Sequence, residues 1–288
     1  LTVTHSIQTN GILLTKERGE FLIGIGFKLG VSYDGCDDLQ NCQRPTKNRN
    51  EQSFQLLKNI KDAGKRLGII TVLTKNSVGR EREIYESLSR ITRFARVNFY
   101  APTGEGLNRQ DELLPTRKEA ESMLLNFYEL WKNDDSDFQL RPFLDIVKSF
   151  FTGLPINCEY SAVSCYRILG SDTDGNIYLC SRALHIPEMR LGNIRDNGLE
   201  KLVGSPTHAK ILDRYLDLKE RTNDPWFFLS SGGCPVEAYS FTGNIMNETY
   251  YGGEVRKPLF EKINQDLQNE RTREKFERKV GIVVQNKT

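Results

Sequence analysis

Blocks of apolar and turn-forming residues alternate through the first hundred positions, and the period inside each block decides its structure. Val3 to Gln8 reads as an apolar-rich strand ended by the turn signal Thr9-Asn10-Gly11. Lys16 to Phe27 carries a helical pattern. Leu29-Gly30-Val31-Ser32-Tyr33 forms the next strand, stopped by Asp34-Gly35, and a polar loop follows to about Asn50. Phe54, Leu57, Ile60 and Leu67 recur at helical spacing and predict an amphipathic helix over Glu51 to Leu67. Ile69 to Thr74 reads as a buried strand, Glu81 to Thr92 as a helix and Ala95 to Tyr100 as a further strand. Alternation at this pace predicts an α/β architecture, a parallel sheet whose strands are joined by crossover helices.

The pattern then lengthens. Pro115 to Trp131 predicts a helix with Thr116 as cap, Glu119 completing a capping box, and Met123, Leu124, Phe127, Leu130 and Trp131 turned towards a core. Asn133-Asp134-Asp135-Ser136-Asp137 reads as a linker, and Arg141 to Phe151 as a bridging helix. From Pro258 to Lys279 acids and bases alternate, with Glu274 and Arg278 at i,i+4, which predicts a solvated helix.

At 288 residues, 38% apolar and 27% charged, the chain can bury a large core and is expected to divide into two domains. The formal net charge of +2, with bases scattered among acids, gives no field suited to nucleic acid. No run of eighteen apolar residues marks a membrane span, so a soluble protein is expected. The chain opens at Leu1 within what reads as a strand, so further sequence is expected upstream.

The strongest chemical signal lies between residues 158 and 234. Four of the six cysteines stand at Cys158, Cys165, Cys180 and Cys234, separated by six, fourteen and fifty-three residues. Between the second and third, Asp174-Gly175 interrupts two short apolar runs and predicts a hairpin that folds Cys165 back towards Cys180. Cys234 follows Ser231-Gly232-Gly233, where glycines permit the positive φ and close backbone approach needed by a loop wrapped around a cluster. Four thiolates also suit a structural zinc, although zinc sites mostly pair ligands at shorter spacing. Disulfides are the other alternative; without a signal peptide or a regular framework of spacings, a reducing cytoplasm fits better.

The run Cys165, nine residues, Gly175-x4-Cys180, then Leu191-Gly192-Asn193-Ile194, then Gly232-Gly233-Cys234-Pro235 resembles the SPASM domain, the auxiliary iron-sulfur module of radical SAM peptide and protein maturases. The resemblance implies one auxiliary four-iron four-sulfur (4Fe-4S) cluster on Cys158, Cys165, Cys180 and Cys234. Ligands of the family's second auxiliary cluster would fall at Arg221, Asp224, Ser230 and about Gly252, none of them cysteine, although Asp224-Pro225-Trp226 still looks like the family's Cys-Pro-Trp.

Ser6 to Leu14, Gly30 to Gly35 and Ala101 to Gly106 look like middle and late strands of the radical SAM partial (β/α)6 barrel. The implied organisation is the C-terminal part of that barrel over 1–132, a linker and bridging helix over 133–157, the cluster domain over 158–257 and a charged helix over 258–288. Ser32 would contact S-adenosylmethionine, Gln8 and Asn10 would face the same cavity, and Tyr100 would line the adenine site; hydroxyls and amides suit such a ligand. The family's Cys-x3-Cys-x2-Cys loop and Gly-Gly-Glu motif do not occur in residues 1–288. At roughly 30 residues per strand-helix unit, about 90 to 110 residues would precede Leu1. Cys36 and Cys42 lie on the wrong loop to replace the missing motif and read as free thiols.

The resemblance therefore implies a maturase that modifies a ribosomal precursor peptide or a protein side chain through a deoxyadenosyl radical, forming a crosslink or an oxidised product. It implies S-adenosylmethionine, a second 4Fe-4S cluster in the intact enzyme, and a reductant such as flavodoxin or ferredoxin. Anaerobic sulfatase maturases carry an aspartate directly after the third ligand. Ser181 stands there, and its hydroxyl is a poor base unaided, which favours peptide crosslinking. Two alternatives stay open: a non-catalytic cluster- or zinc-binding module that holds a peptide, and a sulfatase-maturase-like enzyme. No catalytic residue is assigned. Of the histidines, His5 is expected to be packed in its strand, His208 solvated on a helix, and His185, near Cys180, is the one with a case for function.

Overall fold

The computed structural model of the chain describes residues 2–44, 67–184 and 186–281. The chain divides into two compact units that interleave in sequence: Leu1–Tyr100, Asp111–Leu144 and Gln265–Thr288 form one, Ala101–Gln110 and Asp145–Asn264 the other.

In the first unit, strands β1 (Ser6–Thr9), β2 (Lys28–Ser32), β3 (Leu67–Leu73), β4 (Phe94–Phe99) and β5 (Gln139–Arg141) form one sheet in that order, every pair parallel. β3 alternates strictly, burying Leu67, Ile69, Thr71 and Leu73. The helix Glu81–Ile91 presents Ile84, Leu88 and Ile91 from one face. The helix Arg117–Asn133 starts with the predicted capping box, in which Thr116 Oγ1 accepts from the Glu119 amide and the Glu119 carboxylate accepts from the Thr116 amide. Its far end buries Phe127, Tyr128 and Trp131 completely.

Several segments differ from their sequence expectation. The polar loop after β2 contains the helix Asp37–Gln43, whose acidic first turn suits the helix dipole. Asn133 to Asp137 is no interdomain linker but the turn into β5, a strand too short for its period to show, and the following helix begins only at Phe143. The first helix stops at Gly24, because Gly26 takes φ 91°. The charged tail forms two helices, Gly253–Asp266 and Glu270–Val280. Phe276 of the second is fully buried and stacks on Trp131 with ring centroids 5.7 Å apart, so the tail supplies core as well as solvated surface. His5 is exposed ahead of β1 and stacks on Phe27 rather than packing inside. The helix expected over Glu51 to Leu67 lies outside the described residues, apart from Leu67 at the start of β3.

The second unit contains a three-stranded antiparallel sheet, β6 (Gly170–Ser171), β7 (Asn176–Tyr178) and β8 (Arg190–Asn193), ordered β6-β7-β8. The predicted hairpin joins β6 to β7. Gly175 takes φ 84°, and Asp172 Oδ1 accepts from the amides of Asp174 at 3.0 Å and Asn176 at 2.9 Å. No described helix is long and apolar enough to cross a membrane.

Asp34 shows how the end of β2 is held. Its side chain is 1% exposed; Oδ1 accepts from the Val72 amide of β3 at 3.0 Å, Oδ2 accepts from Arg44 Nε at 2.8 Å, and its own amide donates to Gln40 Oε1 at 2.7 Å. Removing this carboxylate leaves a buried amide and an arginine without their acceptor. Asp34→Ala is expected to lower unfolding free energy by about 3 kcal/mol in urea titration. A change below about 0.5 kcal/mol, typical of an ordinary surface substitution, would contradict this role.

Candidate metal centre

Four separate pieces of backbone bring the cysteines of the second unit together. Cys158 lies in the turn closed by the Tyr160 amide donating to the Asn157 carbonyl. Cys165 sits on the short helix Ala162–Tyr166, whose N-cap Ser161 accepts from the Ser164 amide. Cys180 follows β7 in extended conformation, and Cys234 is the N-cap of the helix Pro235–Thr242. Cys165 and Cys234, 9% and 8% exposed, belong to one buried apolar cluster with Tyr178, Leu179, Met189, Ile211 and Val236; Cys158 and Cys180 pack against that cluster. None of the four forms a disulfide.

Close backbone approach makes the convergence possible. A Cβ on Gly170 would lie 2.5 Å from the Cys180 carbonyl carbon and oxygen, so only glycine lets β6 pass behind that residue. Ser231, Gly232 and Gly233 take φ of 48°, 72° and 76°, three successive left-handed residues delivering Cys234. Arg214, itself buried, clamps this loop by donating to the carbonyls of Gly232 at 2.6 Å, Gly233 at 3.0 Å, Ser231 at 3.3 Å and Asn247 at 2.8 Å.

The electrostatics are those of crowded thiols in an apolar shell. Burial first, then the charges of Cys234, Cys180 and Cys158, push the Cys165 thiol far above its ordinary range. Burial raises the Cys234 thiol to about 11 against the opposing pull of Arg182. Arg182 Nη1 donates to Cys234 Sγ at 3.6 Å, and that thiolate strengthens the guanidinium's hold on its proton. Burial brings Arg214 down to about 10, opposed by Cys234 and Cys165. A buried acid, Glu237, has its carboxyl pushed up by burial while Arg256 opposes the shift. Such a set favours a group that brings its own positive charge and takes four thiolates.

The spacing bears on which group. The four sulfurs are not among the described ligand sets whose atoms all lie within 4.8 Å of one another, whereas a zinc tetrahedron with bonds of 2.3 Å requires sulfurs about 3.8 Å apart. A cubane would spread its four sulfurs to on the order of 6 to 7 Å. The described set that does crowd this closely is Cys36, Asp38 and Glu83. Arg80 already bridges its two carboxylates, at 2.5 Å to Asp38 and 2.9 Å to Glu83, and burial with the Glu83 contact raises the Cys36 thiol to about 12. Neutralised carboxylates and a protonated thiol make poor ligands.

The residues at the second-cluster positions have other work. Arg221 pairs with Asp217 and donates to the Met246 carbonyl; Asp224 accepts from the Trp226 amide; Ser230 is buried and donates to the Phe227 carbonyl. A side chain on Gly252 would meet the Thr249 carbonyl at 2.9 Å. None of these four side chains is a thiolate.

Of the residues expected to meet S-adenosylmethionine, Gln8 and Ser32 come together at the ends of β1 and β2, with Gln8 Nε2 donating to Ser32 Oγ at 3.2 Å. Gly30 leaves room for that amide. Asn10 Oδ1 accepts from the Ile12 amide in the following turn, and Tyr100 is buried after β4. His208 is a correction: at 1% exposure its Nδ1 accepts from the Gly204 amide and its ring stacks on Tyr166, a structural role hidden because one apolar helix face reads the same with or without a satisfied histidine. His185 lies outside the described residues. Sequence reasoning missed Gly170, Arg182, Arg214, Glu237 and Arg256. Only Gly170, at the end of the short apolar run that precedes the hairpin turn, left a visible signal.

With this geometry the fold is that of the radical SAM/SPASM enzymes. The structure of native anSMEcpe with bound AdoMet superposes with a TM-score of 0.74 at 21% identity, covering 93% of this chain and 76% of that one. Streptococcus suis SuiB bound to S-adenosylmethionine superposes with a TM-score of 0.57 at 15% identity, covering 85% and 58%. In sequence the chain is similar to the cysteine-type anaerobic sulfatase-maturating enzyme of Clostridium novyi (strain NT), 26% identical over 274 residues, 91% of this chain and 71% of the relative. It is also similar to the serine-type anaerobic sulfatase-maturating enzyme of Klebsiella aerogenes, 21% identical over 257 residues, 87% and 62%. No protein-family profile matches the chain. These likenesses bear out the α/β fold class and the resemblance to radical SAM/SPASM maturases drawn from the motifs.

Gly170→Ala tests the packing behind the site. The new methyl meets rigid backbone and is expected to cost about 1–3 kcal/mol in urea titration and to lower iron uptake. Gly198→Ala, with open space at its Cβ, serves as control and should change neither. Equal behaviour of the two variants would refute the close-approach argument.

Proposed function

We propose that this chain is the cluster-bearing part of a radical SAM maturase that oxidises or crosslinks a side chain of a peptide or protein. Cys158, Cys165, Cys180 and Cys234 hold one auxiliary 4Fe-4S cluster. The observation that carries this reading is the gathering of four thiols in and against one buried apolar cluster, none of them tied up in a disulfide. Such a group, when bound, supplies a one-electron acceptor whose coordination is closed. The protein's part is to bury the thiolates, hold their loops and neutralise their charge with Arg182 and Arg214. In the first unit Gln8, Asn10, Ser32 and Tyr100 are proposed contacts of S-adenosylmethionine. The Gln8 and Ser32 pair offers a donor and an acceptor in fixed relation to one ligand.

A peptide substrate draws support from the structural neighbours, which include anSMEcpe with the Cp18Cys peptide and SuiB with precursor peptide SuiA. Between the two substrate classes, the sequence relatives favour a sulfatase segment, while Ser181 in place of a carboxylate base favours a crosslinked ribosomal peptide. A non-catalytic peptide-binding module built on the same four cysteines is the second reading.

Radical generation needs an iron with an open position for S-adenosylmethionine, which a closed four-cysteine site does not offer. Residues 1–288 under dithionite should therefore form no 5′-deoxyadenosine. A polypeptide that also carries an upstream Cys-x3-Cys-x2-Cys loop should form it and modify a peptide presented with it. Cys165→Ala in that polypeptide should abolish peptide product more completely than deoxyadenosine. Deoxyadenosine from residues 1–288 alone would overturn the assignment. Tight binding of a peptide that is never modified would establish the binding-module reading instead.

A further inference from the structure

The three loops that carry Cys158, Cys180 and Cys234 share one cation. Arg182 belongs to the turn Ser181–Ala183, two residues beyond Cys180. Its Nη1 donates to Cys234 Sγ at 3.6 Å and lies 3.9 Å from Oε1 of Glu159, the residue after Cys158. The other arginines nearby are differently engaged: Arg214 donates to four backbone carbonyls, and Arg256 lies over the Tyr160 ring at 4.5 Å. Arg182 is also 40% exposed along its side chain, so its position is not forced by core packing.

Building on the 4Fe-4S reading above, we propose that Arg182 sets the reduction potential of the four-thiol site, through a charged N–H contact to Cys234 that Glu159 tempers from the other side. Four thiolates leave the site with net negative charge, and one added electron increases it. A guanidinium hydrogen-bonded to a ligating sulfur stabilises the reduced form more than the oxidised one, because its attraction grows with the charge it faces. Net charge and hydrogen bonds to the sulfurs are the established levers on such potentials. Glu159 opposes the effect by placing a carboxylate against the same nitrogen. Arg182 thus acts by positioning charge beside the sulfur.

The test is a redox titration of the anaerobically purified chain with dithionite, followed by electron paramagnetic resonance, with iron per chain measured on every sample. Arg182→Gln should keep its iron and shift the potential to more negative values; Arg182→Lys should stay nearer the parent; Glu159→Gln should shift it to more positive values. Opposite signs from two neutral replacements are not what general loosening of the fold would produce. An iron-loaded Arg182→Gln protein with the parent's potential overturns the proposal while leaving the cluster reading intact. If Arg182→Gln takes up no iron, the Glu159→Gln result decides alone, and an unchanged or more negative potential overturns the proposal. A parent protein without iron removes the cluster reading, and this inference with it.

Discussion

Crowding four thiols into an apolar cluster is the constraint on which the second unit depends. Burial pushes the Cys165 and Cys234 thiols up, and the charges of Cys234, Cys180 and Cys158 push Cys165 further. The arrangement is favourable once a group with its own positive charge takes the thiolates, so binding free energy becomes folding free energy for the loops. Those loops have little regular structure: β6 has two residues and β7 three. What holds them is the Asp172 turn and the close pass of Gly170 behind Cys180, both local, together with the long-range Arg214 clamp on three successive left-handed residues.

Around this centre the unit keeps several ionisable groups buried, an arrangement that costs desolvation unless partners are exact in geometry. Arg214 meets most of that cost with four carbonyl acceptors, its Nε alone of its nitrogens lying buried without a partner among the described residues. Arg256 meets part of it through the Tyr160 ring and the charge of Glu237, yet its Nη1 has no hydrogen-bond partner among the described residues. Charges of both signs held close to the thiols give side chains a means to set the properties of whatever the thiols bind.

Much of this was legible in the sequence because it depends on local chemistry. The Asp174-Gly175 hairpin, the Thr116/Glu119 capping box and the buried strand β3 each follow from a few neighbouring residues, and each stands where expected. The four cysteines were visible as a set, and the glycines before Cys234 announced the left-handed loop. What stayed hidden depends on contacts far apart in sequence. Nothing near residue 214 shows that its guanidinium serves carbonyls at 231–233, and nothing near 208 shows that Tyr166 covers its ring. β5 escaped because a three-residue strand has no measurable period, and the tail's Phe276 because one buried ring is lost among charges.

The proposed role of the second unit depends on which group, iron-sulfur or zinc, Cys158, Cys165, Cys180 and Cys234 take up. X-ray absorption at the iron and zinc edges of anaerobically purified protein tests it most directly, since it reports ligand type and metal–metal distance without requiring activity. The account predicts about four irons per chain, an all-sulfur first shell and a resolved iron–iron vector, all lost in Cys165→Ala. One zinc per chain in a four-sulfur shell with bonds of about 2.3 Å and no iron would contradict it.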